Sequence, residues 1–284
     1  MKTAVIIVNY NDGENLIQAV RKMSSYTIVD DVVVVDNNSS DGSSEAVHEF
    51  PKTHIVYAEK NGGYGSGNNL GMHYAIKELK ADHALIMNPD TEVPEEAVKA
   101  MLCAMTSDDS VAVCAPVCTT PESTFDAPAV AWPIRVWHLE LFEHCPILRR
   151  IFAKKANYSK EYLNGSGSCE VGAVPGSCLM VDLKKTDSVG GYDEKVFLYC
   201  EENILGYKLK EASYKTLLLR DVRYLHNHKP ALPGSESMKR LTDSELYYFK
   251  NYLKVGGFKM FISKALFAVA GLEVRIYSLC TKKK

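Results

Sequence analysis

Short apolar runs alternate with segments of helical periodicity through the first hundred residues of the chain. Four apolar, mostly β-branched runs predict strands at residues 4–8, 32–35, 55–58 and 84–87. Helices are predicted between them at residues 15–24, 40–50 and 67–80. This alternating order predicts an α/β fold with a right-handed, mostly parallel, Rossmann-like sheet flanked by helices.

Polar residues collect where these predicted strands end. Ligands of parallel sheets bind beyond the carboxyl ends of the strands, so the pattern predicts a binding cleft there. Asp36 is placed to accept hydrogen bonds from a base or a ribose, and the glycine-rich residues 62–67 lead into a helix N-terminus that would favour a phosphate. Polar strand ends occur in any α/β protein, but four in order favour a nucleotide site. The candidate residues are Asn9, Tyr10, Asn11, Asp36, Asn61, Gly62, Asn68 and Asn88.

Two common nucleotide motifs are absent from the sequence. No Gly-x-Gly-x-x-Gly follows the first predicted strand, which disfavours dinucleotide binding. No Gly-x-x-x-x-Gly-Lys-Ser/Thr occurs, which excludes a P-loop enzyme.

Charge is balanced over the whole chain but not along it. The formal net charge of −2 over 284 residues gives no reason to expect a nucleic-acid partner. From residue 250 onward, however, seven Lys and one Arg face a single acid, Glu273. Aromatic and aliphatic residues interleave with these lysines, and Lys282, Lys283 and Lys284 close the chain. This pattern predicts a basic amphipathic helical tail that either contacts a membrane surface, packs on the rest of the chain or forms a dimer interface.

Cysteine usage and hydropathy indicate a cytoplasmic protein. None of the eight cysteines forms a Cys-x-x-Cys pair, and the N-terminal apolar run turns polar at Asn9, too early for a signal peptide. No run approaches the roughly 20 apolar residues that span a bilayer. Contact with a membrane would therefore be peripheral.

An ordered set of motifs resembles the family-two inverting glycosyltransferases, particularly their rhamnosyltransferase-like branch. The resemblance extends from residue 4 to residue 228 in the correct order. Each motif is weak alone, but the set is highly specific. The motifs are residues 5–11 (VIIVNYN), 35–43 (VDNNSSDGS), 61–71 (NGGYGSGNNLG), 85–91 (LIMNPDT), 189–194 (VGGYDE) and 197–202 (FLYCEE), followed by His226.

This resemblance implies a glycosyltransferase A fold, a dTDP- or UDP-sugar donor and a divalent metal, Mn²⁺ or Mg²⁺. The metal ligands would be Asp90 and His226, with His228 as the competing histidine. Asn88 stands where the family signature often has a first aspartate, as is usual in this branch. A divalent ion stabilises the charge of a departing diphosphate, and Mn²⁺ accepts both carboxylate and imidazole ligands.

The general base implied by the resemblance is Glu202, with Glu201 as the alternative. The family usually has Asp at this position, so the extra methylene is a departure. Two adjacent carboxylates raise one another's pKa, which suits a base that works near neutrality. The alternative is an acidic helix start, where carboxylates favour the helix dipole.

Three regions follow from this interpretation: a nucleotide-sugar-binding half at 1–100, an acceptor-binding and catalytic half of the same domain at 101–230, and the basic tail at 231–284. Residues 175–181 predict a strand after a tight turn. By the resemblance, this segment would form the base of the acceptor site. Residues 119–168 predict a long irregular excursion. Within it, Trp132, Trp137 and Tyr158 could stack on sugar rings or belong to the core.

The expected activity is transfer of a hexosyl or deoxyhexosyl unit to a hydroxyl of a surface glycan or lipid-linked oligosaccharide at the inner face of the cell membrane. Rhamnose is indicated only by the branch. A catalytically silent sugar-nucleotide-binding subunit is the alternative of a different class. A sugar nucleotidyltransferase is disfavoured, because it would need Arg or Lys in a glycine-rich loop where residues 11–14 read NDGE.

Overall fold

The computed structural model describes residues 1–121, 130–227 and 235–281. Within these residues nine strands form one sheet. They are β1 (Thr3–Asn9), β2 (Asp31–Asp36), β3 (Thr53–Tyr57), β4 (His83–Met87), β5 (Thr91–Glu92), β6 (Val111–Thr119), β7 (Ser168–Val171), β8 (Cys178–Asp182) and β9 (Lys215–His226).

The helices are α1 (Gly13–Ser25), α2 (Tyr64–Tyr74), α3 (Glu95–Ser107), α4 (Trp137–Glu143), α5 (Pro146–Ala156), α6 (Lys160–Leu163), α7 (Leu183–Ser188), α8 (Glu201–Glu211), α9 (Ser235–Asn251) and α10 (Gly257–Thr281). A 3₁₀ helix occupies Ser43–Val47, and a π-helical turn at Ala75–Leu79 extends α2.

The sheet is parallel in its first half and mixed in its second. Its order is β3-β2-β1-β4-β8-β6-β9-β5, with β7 also paired to β9. β3, β2, β1 and β4 run parallel, which confirms the predicted βαβ arrangement. β8 runs antiparallel to both β4 and β6, and β5 and β7 run antiparallel to β9. The second half therefore adds antiparallel pairs to the parallel sheet.

Side chains from both faces of the sheet are buried under helices. Ala4 and Ile6 of β1 contribute to one hydrophobic cluster, whereas Val5 and Ile7 contribute to another on the opposite face. This alternation follows from the two-residue period of a strand and explains why the strand is apolar at every position.

One predicted helix is much shorter than expected. Residues 40–50 were expected to form a helix, but only the 3₁₀ helix at Ser43–Val47 is present. Gly42 precedes it with a φ of +68°, and the Ser43 amide is bonded to the Asp41 carboxylate at 3.0 Å. The Ser43 hydroxyl accepts a hydrogen bond from Asn9, so this segment is shaped by contacts with the strand ends.

The C-terminal helices pack on the rest of the chain. A third hydrophobic cluster joins Tyr248 and Phe249 of α9 and Phe267 of α10 to residues of α4 and α8. The opposite face of α10 leaves large apolar side chains exposed, among them Phe258 at 79% and Phe261 at 70%. In the described part of the chain, no helix has both the length and the apolar character needed to cross a membrane. Lys282, Lys283 and Lys284 lie outside the described residues.

Candidate active site

The carboxyl ends of β1, β2 and β4 form one edge of the sheet. Asn9 and Asp36, the last residues of β1 and β2, are paired in register, and β4 ends beside β1. β1 lies between β2 and β4 in the sheet. The chain passes from β1 to β2 on one side and later adds β4 on the other side. Such a reversal of strand order opens a crevice at the carboxyl edge, where α/β proteins bind ligands.

The loop after β2 is held by the predicted nucleotide-site residues themselves. One Asp36 carboxylate oxygen accepts the Ser39 amide at 2.7 Å. Asn11, at a φ of +55°, accepts the Ser40 amide at 2.8 Å through its side-chain oxygen. Tyr10 exposes 53% of its surface at this edge, so its ring is accessible to a ligand.

Two predicted contact residues are not at the surface. Asn9 and Asn68 have no exposed surface, and their side chains bond other parts of the chain. The Asn9 amide donates to the Ser43 hydroxyl at 2.7 Å. The Asn68 amide donates to the Tyr64 carbonyl at 3.0 Å within α2. Both side chains therefore support the loops of the cleft through internal hydrogen bonds.

Asn61, Gly62 and Asn88 lie in loops that are tied together by hydrogen bonds. The Asn61 side-chain oxygen accepts from the Asn37 amide and from the Gly63 N–H, both at 3.0 Å. The Asn37 side chain also accepts the Gly62 N–H at 3.4 Å. The Asn88 N–H donates to the Ser177 carbonyl at 3.0 Å, which joins the end of β4 to the turn before β8.

The glycine-rich stretch before and within α2 serves protein packing. A Cβ on Gly63, whose φ is +90°, would lie 2.0 Å from the Phe197 carbonyl oxygen, and one on Gly67 would lie 2.7 Å from Val8. The Tyr64 N–H, at the start of α2, donates to that same carbonyl at 3.2 Å. These glycines therefore admit other parts of the chain at this helix end.

The pairing of β5 with β9 brings the two predicted metal ligands together. Thr91 is in register with His226, and the Asn227 N–H donates to the Asp90 carbonyl at 2.9 Å. The His226 Nε2 and Asp90 Oδ1 atoms are 3.2 Å apart, and each side chain is about one-fifth exposed. Burial alone would lower the pKa of His226, but hydrogen bonds to Asp90 and Cys118 raise it to about 9. His228 lies outside the described residues.

This donor set fits a divalent metal. A carboxylate oxygen and an imidazole nitrogen are in contact and partly exposed. Mn²⁺ accepts both ligand types and commonly takes its remaining ligands from phosphate oxygens and water.

The acidic pair opens α8 in an unusual backbone conformation. Tyr199 and Cys200, the two residues before it, both have a φ of +71°. Such non-glycine residues persist only where surrounding contacts hold them, and they cluster at functional sites. Glu202 accepts the Gly176 N–H at 3.0 Å, and burial raises the pKa of its carboxyl. Glu201 is 3% exposed, and burial together with the Glu202 charge raises its pKa to about 8.

A single turn connects the acidic pair with the end of β4 and with β9. Gly176 binds Glu202 through its N–H and accepts the Tyr64 hydroxyl at 2.5 Å through its carbonyl. Its neighbour Ser177 accepts the Asn88 N–H through its carbonyl and shares a 2.6 Å hydrogen bond with Tyr224 of β9. The segment predicted to floor the acceptor site thus lies between the two predicted functional centres.

A cavity of about 310 Å³ lies beside Glu202 and was not predicted. Trp132 and Tyr199 line it together with a buried ion network, Arg135, Glu140, His144 and Glu245. The His144 Nε2 lies 2.8 Å from Glu245 and 3.6 Å from Glu140, and Arg135 lies 3.1 Å from Glu140. Burial opposes the charge on His144, but these carboxylates raise its pKa to about 10.

The sequence carried one signal for this network, the helical i, i+4 spacing of Glu140 and His144 within a segment that otherwise appeared irregular. The three aromatic residues singled out there differ in role. Trp132 lines the cavity, whereas Trp137 donates to Ser263 at 2.9 Å and contacts the third cluster. Tyr158 accepts the Gly172 N–H at 3.1 Å and stacks on Tyr162.

The architecture is that of glycosyltransferase A enzymes. GalNAc-T7 in complex with UDP, GalNAc and Mn²⁺ superposes with a TM-score of 0.62 at 14% identity, covering 89% of this chain and 49% of that one. The mannosyltransferase PcManGT from Pyrobaculum calidifontis, in complex with GDP-Man and Mn²⁺, superposes with a TM-score of 0.60 at 15% identity, covering 96% of this chain and 71% of that one.

The chain belongs to glycosyl transferase family 2, whose family profile matches residues 4–166. It is 25% identical over 236 residues to the low-salt glycan biosynthesis hexosyltransferase Agl10 of Haloferax volcanii, covering 79% of this chain and 66% of that protein. It is 26% identical over 249 residues to the N-acetylglucosaminyl-diphospho-decaprenol L-rhamnosyltransferase of Mycobacterium tuberculosis, covering 84% of this chain and 79% of that protein.

Proposed function

We propose that this protein is a metal-dependent inverting glycosyltransferase that moves a hexosyl or deoxyhexosyl unit from a dTDP- or UDP-sugar to a hydroxyl of a lipid-linked or surface-glycan acceptor. The observation that carries the proposal is the contact between Asp90 and His226 at the carboxyl edge, with Glu202 bound to the turn that joins this edge to α8. Family membership supports the reaction class.

In this proposal the acceptor hydroxyl attacks the anomeric carbon of the donor. The bond from that carbon to the diphosphate breaks on the opposite face, and Glu202 takes the hydroxyl proton. The Gly176 N–H fixes the orientation of the carboxylate, and burial makes it a stronger base than a solvated glutamate. Asp90 and His226 would hold Mn²⁺ or Mg²⁺, which stabilises the negative charge that develops on the leaving diphosphate.

The cavity beside Glu202 is the proposed place for the acceptor sugar. It is large enough for a small saccharide, and it offers the Trp132 and Tyr199 rings together with charged groups. Aromatic faces and polar groups in one pocket suit carbohydrate, which presents both C–H surfaces and hydroxyls. The mycobacterial relative is named for an acceptor in which a sugar diphosphate is joined to decaprenol, and this supports a lipid-linked acceptor here.

A direct test is a thermal-shift screen of sugar nucleotides with and without Mn²⁺, followed by a transfer assay with the stabilising donor. A bound ligand raises apparent stability by mass action. The proposal predicts stabilisation that needs metal and nucleotide together, and turnover that a chelator abolishes. Metal-dependent binding without turnover on any glycan or lipid-linked acceptor would support the silent-subunit alternative. Turnover unchanged by chelation would overturn the metal assignment.

We also propose that the exposed face of α10 contacts the inner surface of the cell membrane. Phe258, Phe261 and Leu272 are exposed on this helix, and Lys259 and Lys264 are exposed near them. Apolar residues flanked by lysines fit an anionic bilayer interface. A second copy of the chain is the competing occupant of this face.

Substitution tests this contact better than truncation, because removing α9 would strip Tyr248 and Phe249 from the third cluster. Full-length protein should sediment with vesicles that contain anionic lipid, and Phe258→Glu combined with Phe261→Glu should abolish sedimentation. Ile151→Glu is the matched control, since Ile151 is an equally exposed apolar residue, 66%, on a different helix. Sedimentation that persists in the double variant would refute the contact. A change from dimer to monomer in that variant would instead identify a dimer interface.

A further inference from the structure

The segment that leads into the acidic pair has an energetically demanding conformation. Residues 193–200, here called the acid loop, end in Tyr199 and Cys200, both at a φ of +71°. Neither residue is glycine, so the surrounding structure must hold this backbone. The direction in which α8 starts, and with it the position of Glu202, depends on how the loop is held.

The C-terminal helix α9 holds one side of the acid loop. The Tyr247 and Tyr252 hydroxyls both donate to the same carboxylate oxygen of Asp193, at 2.8 and 2.6 Å. The Ser244 hydroxyl donates to the Leu198 carbonyl at 2.8 Å. Tyr252 lies just beyond the end of α9, so the contacts cover the last two turns of the helix and the residue that follows it.

The donor-side helix α2 holds the other side. The Asn69 side chain accepts the Tyr192 N–H at 2.8 Å and donates to the Tyr192 carbonyl and the Glu194 carboxylate, both at 2.9 Å. The Tyr64 N–H caps the Phe197 carbonyl at 3.2 Å. The acid loop is therefore fixed between the helix that borders the predicted nucleotide cleft and the helix from the C-terminal region.

Building on the proposed role of Glu202, we propose that Tyr247 and Tyr252 are positioning residues for the reaction. By anchoring Asp193 they keep the acid loop in its strained conformation and keep the Glu202 carboxylate against the Gly176 N–H. The C-terminal helix α9 then contributes to catalysis by holding the acid loop.

The chain offers a matched control for this proposal. Tyr248 lies between the two anchoring tyrosines in sequence, is 1% exposed, and its hydroxyl has no hydrogen-bond partner among the described residues. Tyr248→Phe removes the same atom as Tyr247→Phe or Tyr252→Phe without releasing the acid loop.

The test compares the Tyr247→Phe/Tyr252→Phe double variant with Tyr248→Phe in the full-length protein. We expect the double variant to lose about 10- to 100-fold in kcat, since small misplacements of a catalytic group have effects of this size. Metal-dependent donor binding should stay at the wild-type value, because Asp90 and His226 are untouched. The pH–rate profile should shift toward acid, because a released loop admits water to the acidic pair and lowers its apparent pKa. Tyr248→Phe should change neither kcat nor the profile.

Wild-type kcat and pH profile in the double variant would overturn the positioning role while leaving the proposed function intact. An equal loss of kcat in Tyr248→Phe would also overturn it, by showing a general packing effect. If the double variant fails to fold, the two single variants decide the matter, since each keeps one hydrogen bond to Asp193. Wild-type kcat and profile in both singles would refute the proposal. Absence of turnover in the wild type would instead refute the proposed function.

Discussion

Asp90 and His226 carry opposite charges in contact, whereas Glu201 and Glu202 are like-charged neighbours at a buried helix start. In the first pair Asp90 stabilises the protonated form of His226, and both side chains keep about a fifth of their surface exposed. In the second pair burial and mutual repulsion disfavour ionisation. The first arrangement suits the exchange of a cation, and the second suits the uptake of a proton. The turn at residues 176–177 bonds Glu202 through the Gly176 N–H and Asn88, two residues before Asp90, through the Ser177 carbonyl, so it links the two pairs.

The largest expected effect comes from neutralising the proposed base. Glu202→Gln should lower kcat by about 10² to 10⁴, the usual contribution of a general base, with donor binding nearly unchanged. Steady-state kinetics and calorimetric titration of the donor measure the two quantities. Glu201→Gln is the comparison that tests the assignment within the pair. Near-wild-type turnover in Glu202→Gln with an inactive Glu201→Gln would reverse it.

Breaking the opposite-charge pair should act on binding instead. Asp90→Asn and His226→Ala should each weaken Mn²⁺-dependent binding of UDP or dTDP by about 10- to 100-fold or more, because even partners of metal ligands have effects of this size. Titration calorimetry with and without a chelator provides the measurement. His73→Ala, which changes an exposed histidine of α2, is the control. If neither variant alters the metal dependence, the two residues do not hold the ion.

The smallest effect concerns stability and pH. The folded-state pKa of Glu201 is raised from 4.5 to about 8 by burial and by the Glu202 charge, so the folded chain holds that proton more tightly than the unfolded chain. This stabilisation is complete below the ordinary pKa and is lost as pH rises through about 8.

Between pH 6.5 and pH 8.0, the free energy of unfolding should therefore fall by about 1–2 kcal/mol more in the wild type than in Glu201→Gln. Denaturant unfolding at the two pH values gives the difference. Glu211→Gln, at the exposed end of the same helix, should behave like the wild type. Parallel pH dependence in the wild type and Glu201→Gln would show that Glu201 is not held protonated by the fold.

The parts of this molecule that the sequence predicts are those built from local patterns. β1, β2 and β4 follow from apolar runs, and the polar residues that follow them reach one edge because parallel strands must align there. The choice of Asp90 and His226 came from the family resemblance, and their contact depends on the pairing of β5 with β9. A strand of two residues has too little pattern to be predicted.

The parts that were missed depend on distant contacts. Asn68 belongs to one of the motifs of the family resemblance, but local pattern does not reveal that the fold buries it completely on the inner face of α2. Gly63 was expected to admit a ligand, yet its missing side chain admits the Phe197 carbonyl. The ion network of Arg135, Glu140, His144 and Glu245 joins segments far apart in sequence, so spacing alone could not assemble it.

Because β5 is so short, its pairing with β9 should open and close more readily than the rest of the sheet. Thr91–Glu92 pairs with β9 at only two positions, and such short elements open locally at free energies well below that of global unfolding. Amide hydrogens of residues 90–92 should therefore exchange with deuterium sooner than those of β1 and β4. Ligands that need both strands in place should slow this exchange. Part of the binding free energy then goes into closing the β5–β9 pair. A substitution that stabilises this pair should therefore tighten donor binding without contacting the donor.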